Sequence, residues 1–347
     1  METLGQALMG SNPGDAFGSS IALSAQGYTL AVGAWDYGQK AGQVTVHQYT
    51  AGQWHAKGQS LLGQEREGDV FGSVVALSAD GNVVAASATT ADVKSIADLC
   101  RGAHAGLVQV FQFNMTNEQW YQRGQTLTGE LSYEQFGYSI ALSADGLILA
   151  VGIPYADKSE NSDEWAGLVK VYKYRSYANE WIQFGQTLSP ANTKGRFGWS
   201  VDLSFDGKVV AVGAPLNDDN GEASGRVSVF KYNPVIGIWE PMGNGIQGQD
   251  LGRWFANTVV LSSDGLMVAA SLWGDAFWRE EIRYGGVRVF RFKENNQWEQ
   301  VGGDLPGQTL YDPYSTTVTM SAEGKIVMSG WDEETDSGVV RAYYAGD

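Results

Sequence analysis

The phrase FGYSIALSADGLILAVGIPY, Phe136–Tyr155, returns as FGWSVDLSFDGKVVAVGAPL, Phe197–Leu216. Four weaker copies complete a set anchored on Phe17, Phe71, Phe136, Phe197, Phe255 and Tyr314, at spacings of 54, 65, 61, 58 and 59 residues. A repeat of this length constrains the fold more than composition does. Each copy must be one supersecondary unit that buries its apolar faces only against its neighbours.

Each copy has four parts. An aromatic-Gly-x-Ser start leads into an alternating run such as SIALS (Ser139–Ser143), and period-two alternation marks a strand. A turn follows, with Asp-Gly at Asp80-Gly81, Asp145-Gly146 and Asp264-Gly265, a hairpin signal because both residues tolerate positive φ. An apolar second strand comes next, LILAVG or KVVAVG. The third part is GxVxV with aromatics, as in GQVTVHQY (Gly42–Tyr49), GLVKVYKY (Gly167–Tyr174) and GRVSVFKY (Gly225–Tyr232). The fourth is a Trp segment, as in QWYQRGQTL and EWIQFGQTL. Four strands, A to D, in units of roughly 40–60 residues predict a β-propeller. The expectation is an all-β, six-bladed propeller of four-stranded antiparallel blades, one domain over residues 1–347. The sixth copy stops after its third strand, GVVRAYY (Gly338–Tyr344), while LGQALMG (Leu4–Gly10) matches RGQTLTG (Arg123–Gly129). Residues 4–10 are therefore expected to complete the sixth blade and cover its open edge. The alternative is an open solenoid with polar caps.

Composition agrees. Gly is abundant at 45 residues, aromatics reach 12% and Pro is scarce at 8, which suits many short strands and tight turns. The net charge of −16 argues against nucleic acid, whose phosphates need Lys and Arg, and against an anionic membrane surface. No run approaches the ~20 apolar residues of a membrane-spanning helix, so membrane insertion is not expected. No charged-then-apolar leader opens the chain. The single Cys100 excludes an internal disulfide and leaves the compartment open.

At these residues the chain resembles the FG-GAP repeat family, whose propellers include the integrin α-subunit head. FGWSV with VVAVGAP (Phe197–Pro215) matches best; FANTV and YSTTV in the last two copies lose the Gly. Many members carry an Asp-rich calcium loop between strands A and B. Here that loop has shrunk to SADG, SFDG, SSDG, SAEG and SAQG. One carboxylate per turn cannot supply the ~6–8 oxygens that calcium takes, so no metal and no other cofactor is expected there. The resemblance also implies a protein partner held through a basic side chain by top-face aromatics, and an extracellular or cell-surface location.

In a propeller the A–B and C–D turns lie on one face, and the B–C and D–A loops on the other, the top. The top loops here vary in length and character, which is where binding concentrates on a regular scaffold. The B–C loops gather the candidate binding residues Trp35, Asp36, Tyr37, Tyr155, Trp165, Trp273, Asp275, Phe277, Trp278, Trp331 and Asp332. Aromatic rings beside carboxylates suit a cationic group of a protein partner. They also suit a glycan, whose apolar ring face stacks while its hydroxyls bond the acids. The same residues also fit blade packing and solvated acidic surface. The anchor phenylalanines are expected to be inter-blade core.

Other motifs carry less. NDDNGEASG, with Asp218, Asp219 and Glu222, is oxygen-rich but lacks the alternation and closing bidentate Glu of a calcium loop. Residues 91–102 have the spacing of a short helical insert that packs Cys100. Asn114-Met115-Thr116 is a glycosylation acceptor sequence in a C–D turn. The three histidines, His47, His55 and His104, fall at different blade positions and do not converge on a triad or zinc site. Paired carboxylates at about 5–9 Å would be the one catalytic kit available, that of a glycan-cleaving enzyme. The leading expectation is a non-catalytic interaction propeller; the alternative is a carbohydrate-binding one.

Overall fold

The computed structural model describes residues 4–63, 68–93, 103–156, 165–190, 195–249, 252, 254–273, 285–306, 317–331 and 339–345. Six antiparallel sheets follow one another along the chain, and the fold is a six-bladed β-propeller. Strands A to D of blade one are Phe17–Leu23, Thr29–Ala34, Gln43–Thr50 and Gln53–Ala56. Blade two has Phe71–Leu77, Val83–Ala88, Leu107–Asn114 and Gln119–Gln122, and blade three has Ser139–Leu142, Ile148–Ile153, Leu168–Arg175 and Glu180–Gln183. Blade four has Ser200–Leu203, Val209–Ala214, Arg226–Asn233 and Ile238–Pro241, and blade five has Val259–Leu261, Met267–Leu272, Gly286–Phe292 and Trp298–Gln300. The described strands of blade six are Thr317–Met320, Ile326–Trp331 and Val339–Tyr344. The chain divides into two compact units, residues 1–151 with 171–183, and residues 152–170 with 184–347.

The apolar runs become strand B, which is buried on both faces in blades two to five. The anchor aromatics are core as expected at Phe71, Phe136, Phe197 and Phe255, each at most 2% exposed, whereas Phe17 is half-buried. The GxVxV glycine explains the anchor's fixed place. A Cβ on Gly42 or Gly167 would overlap the backbone carbonyl of Phe71 or Phe197 in the next blade. The anchor's N–H bonds the residue before that glycine, Phe71 to Ala41 at 3.2 Å and Phe197 to Ala166 at 3.0 Å. Only a residue without a side chain lets two blades approach this closely.

The turn carboxylates have a structural task. Asp80, Asp145, Asp206 and Asp264 each accept the hydroxyl of the serine two residues earlier and the backbone N–H two residues later. They are turn formers, as the shortened loops predict.

Strand D is written in two pieces, joined by a corner of the form x-Gly-Gln in blades one to three, Met242-Gly243-Asn244 in blade four and Val301-Gly302-Gly303 in blade five. In blade two, Gln119–Gln122 and Leu127–Thr128 both pair with strand C across Arg123-Gly124-Gln125. The corner is where the next blade docks. Trp120 donates its indole N–H to the Lys57 carbonyl at 2.6 Å, Trp181 to Arg123 at 2.8 Å, Trp239 to Phe184 at 2.7 Å and Trp298 to Met242 at 2.7 Å. The corner glutamine bonds both backbone groups of the same Trp, as Gln59 does with Trp120. The Trp segment and the GQ motif are therefore two halves of one inter-blade joint.

The N-terminal residues make this joint with blade one. Trp54 donates to the Leu4 carbonyl at 3.0 Å, and Gln6 bonds the N–H and carbonyl of Trp54. Leu4 and Gln6 thus make with Trp54 the same bonds that a corner makes with the Trp of the next blade, although residues 4–10 themselves form no strand. Of the helical insert expected over residues 91–102, residues 94–102, with Cys100, lie outside the described residues.

Candidate functional site

The top face is built on a backbone clip that recurs between blades. Four pairs make it: Val70 N–H to Lys40 at 2.8 Å, Gln135 to His104 at 3.3 Å, Arg196 to Trp165 at 3.2 Å and Trp254 to Ala223 at 3.1 Å. All eight residues adopt left-handed φ, between 40° and 67°. That region is unfavourable for any residue with a Cβ and most of all for a β-branched one such as Val70. The clip therefore stores strain at four places and leaves the side chains free to differ. They differ widely: Lys beside Val, His beside Gln, Trp beside Arg, Ala beside Trp.

The third pair carries the most chemistry. The Arg196 guanidinium lies 4.9 Å from the Tyr155 ring centre, 5.3 Å from Trp165 and 5.3 Å from Trp199. Tyr155 meets Trp165 at 6.0 Å and Trp199 at 6.3 Å. Three ring faces around one cation make a cation–π cluster, worth about 0.5–2 kcal/mol per contact according to its desolvation. Arg196 Nε is buried without a hydrogen-bond partner. Trp165 is 45% exposed, so the cluster opens to solvent through a large ring.

The structure places the sequence candidates as follows. Tyr155 and Trp165 come together, with Arg196 between them. Trp273 packs edge-on against Trp254, ring centres 4.1 Å apart. Trp35, Asp36 and Tyr37 share a tight turn and are half-buried, and the Asp36 N–H bonds the Asp15 carbonyl. Trp331 ends strand B of blade six, and its side chain lies outside the described residues, as do Asp275, Phe277, Trp278 and Asp332. In the oxygen-rich loop, Asp218 accepts the Ala223 N–H at 2.7 Å and Asp219 pairs with Arg226, while Glu222 is exposed. Among the described residues, no group of three or more His, Cys, Asp or Glu stands close enough to hold a metal ion.

Sequence reading missed Arg196, Trp199 and Trp254. A signal was present. The residue before each anchor runs Ala16, Val70, Gln135, Arg196, Trp254, and it is variable beside a repeated letter.

The FG-GAP repeat model matches residues 187–230, the fourth copy. Together with the six blades, this match supports an FG-GAP-type propeller. A comparison with curated protein sequences finds no match. Solved structures share the fold. One is a "putative 6-phosphogluconolactonase" from Bacteroides uniformis, 14% identical, TM-score 0.59, covering 94% of this chain and 83% of that one. Another is the hydrazine synthase of Kuenenia stuttgartiensis, 15% identical, TM-score 0.56, covering 95% and 77%.

Proposed function

We propose that this FG-GAP-type propeller is a non-catalytic binding module whose top face docks a partner protein, with Trp165 and Arg196 at the centre of the contact. One observation carries the reading. The clip fixes the backbone at four junctions while the side chains change, and at one junction they form a cation–aromatic cluster with an exposed Trp. A rigid frame with freely substituted loop side chains is the usual construction of a recognition surface. Trp, Tyr and Arg are also the residue types on which interface energy concentrates.

The cluster supplies its own cation. Arg196 stands where a partner's basic side chain would sit in an aromatic cage. The group offered at this junction is a guanidinium backed by rings, which fits a partner carboxylate. A partner's basic side chain is matched instead by loop acids such as Asp36. The lactonase and synthase neighbours are too distant in sequence for their chemistry to be carried across, since a fold hosts many functions.

The test is capture from an extract of the source organism by wild type, Trp165→Ala and Arg196→Ala, eluted with salt and then with sugars. The expected result is one protein held by wild type, released by salt, and at least tenfold depleted on both variants. Equal retention on all three baits sinks the reading. Release by sugars alone replaces it with the carbohydrate-binding one, for which the exposed face of Trp165 is the supporting feature.

A further inference from the structure

The residue ahead of the corner glycine accepts the Trp indole N–H of the next blade through its carbonyl, so its side chain is free to vary. Phe184 stacks on Tyr232 with ring centres 3.9 Å apart, and Leu4 and Met242 hold the same position ahead of Gly5 and Gly243. An apolar side chain therefore satisfies the fold there. Two corners instead carry buried cations, Lys57 and Arg123, each 7% exposed.

The two cations are treated differently. Lys57 reaches the A–B turn of blade two, where its ammonium donates to the Gly81 carbonyl at 2.6 Å and to Asn82 Oδ1 at 2.8 Å. Arg123 lies over the Tyr174 ring at 4.0 Å and also bonds the Tyr174 hydroxyl. The turn it faces has Leu147 in the place of Asn82, so the side-chain acceptor that serves Lys57 is missing. Its Nε is buried with no hydrogen-bond partner. Burial accordingly lowers the proton affinity of this guanidinium, the mark of a cation short of acceptors. A buried donor left unmade costs free energy, and nothing in the fold calls for one at this position.

Arg123 also lines a cavity of about 560 Å³ on the turn face of blade two, with Asn114, Tyr121, Gln122, Asn179 and Asp80. Asp80 is committed to Ser78 and Asn82. Asp80 and Asp145 both lie within electrostatic reach of Arg123. A doubly charged anion would be repelled by these two acids more strongly than a single carboxylate, which matches the two-pronged guanidinium edge. The amide and phenol groups around it suit hydroxyls.

We propose that this cavity binds a small hydroxylated monocarboxylate of the sugar-acid class, its carboxylate held by Arg123 and its hydroxyls by the amide of Asn114 and the hydroxyl of Tyr121. The site lies on the face opposite the clips and stands independently of the protein-docking reading.

Calorimetric titration with sodium glucuronate tests it, with glucose and inorganic phosphate as controls. Wild type binds glucuronate saturably and at least tenfold more tightly than glucose or phosphate. Arg123→Met, an apolar corner like Met242, loses at least tenfold in affinity while its melting temperature is unchanged or raised. Arg123→Lys, which keeps the charge and loses the fork, guards against a folding failure and loses at least fivefold. Lys57→Met binds as wild type. The proposal is overturned by no binding to wild type at millimolar glucuronate, by Arg123 variants that bind glucuronate as tightly as wild type does, or by a phosphate affinity equal to that for glucuronate.

Discussion

Trp54 donates its indole N–H to the carbonyl oxygen of Leu4 at 3.0 Å, and Gln6 clamps the backbone of that same Trp. Blades two to five make this joint to the blade before them, and blade one makes it to the first residues of the chain. A Cβ on Gly10 would press on Phe17 at 2.8 Å, just as one on Gly63 would press on Phe71 at 2.8 Å, so the match extends over the whole segment.

Deleting residues 1–9 removes three hydrogen bonds and uncovers the Trp54 ring. At ~1 kcal/mol per bond, a loss of roughly 3 kcal/mol is expected before apolar exposure is added. Thermal unfolding checks the loss. Hydrogen exchange checks where the segment belongs: completion of blade six predicts faster exchange in both blade one and Val339–Tyr344. Faster exchange in blade one alone would mean that the N-terminal segment does not close the ring.

Trp120→Phe keeps the packing against Phe113 but removes the donor to Lys57. The carbonyl is left buried and unpaired, at a cost of about 1–3 kcal/mol. Gln59→Ala leaves the Trp120 backbone groups partly exposed and costs less, about 1 kcal/mol. Urea unfolding distinguishes the two, and a larger loss for Gln59→Ala would show that the clamp rather than the indole bond dominates the joint.

What the sequence made legible follows from these joints. A position repeats in the sequence when its surroundings repeat, and the anchors, the GxVxV glycines and the GQ corners meet the same neighbour in blade after blade. Blade number, strand order and turn chemistry could therefore be read from letters. The clip hid for the opposite reason. Its constraint is on φ and on backbone groups, which any residue supplies, so Val70, Gln135, Arg196 and Trp254 share a conformation and no chemistry. Trp165 was visible as an exposed-loop aromatic, but the cation beside it arrives from the next repeat, 31 residues on by numbering, and no local pattern links them.

Gly167→Ala tests the close approach of blades. The added Cβ meets the Phe197 carbonyl, which is held by its own strand, and Gly167 has φ of 81°. Overlap and strain together should cost more than about 3 kcal/mol and reduce soluble yield. Gly52→Ala, with φ of 84° and open space around it, isolates the backbone term and should cost only about 1–2 kcal/mol. Equal losses for the two would refute the steric account of the GxVxV glycine.

Asp202 gives the protein a pH dependence of defined sign. Its carboxylate lies between the inner strands of blades four and five, accepting the Leu261 N–H at 2.7 Å and the Leu203 N–H at 2.8 Å. Burial raises its pKa to about 6, outweighing those two bonds, which favour the charged form. The folded state therefore holds this proton more tightly than the unfolded chain does. The resulting stability is fully present below about pH 4, the ordinary carboxylate value, and is lost as pH rises through about 6. A change of ~1–3 kcal/mol across that window is expected from this group. Asp202→Asn cannot ionise, so between pH 4 and pH 7 wild type should lose ~1–3 kcal/mol of unfolding free energy relative to this variant. Denaturant midpoints of the two proteins at both pH values decide it. Parallel pH profiles would show that Asp202 ionises in the folded state as readily as in the unfolded chain.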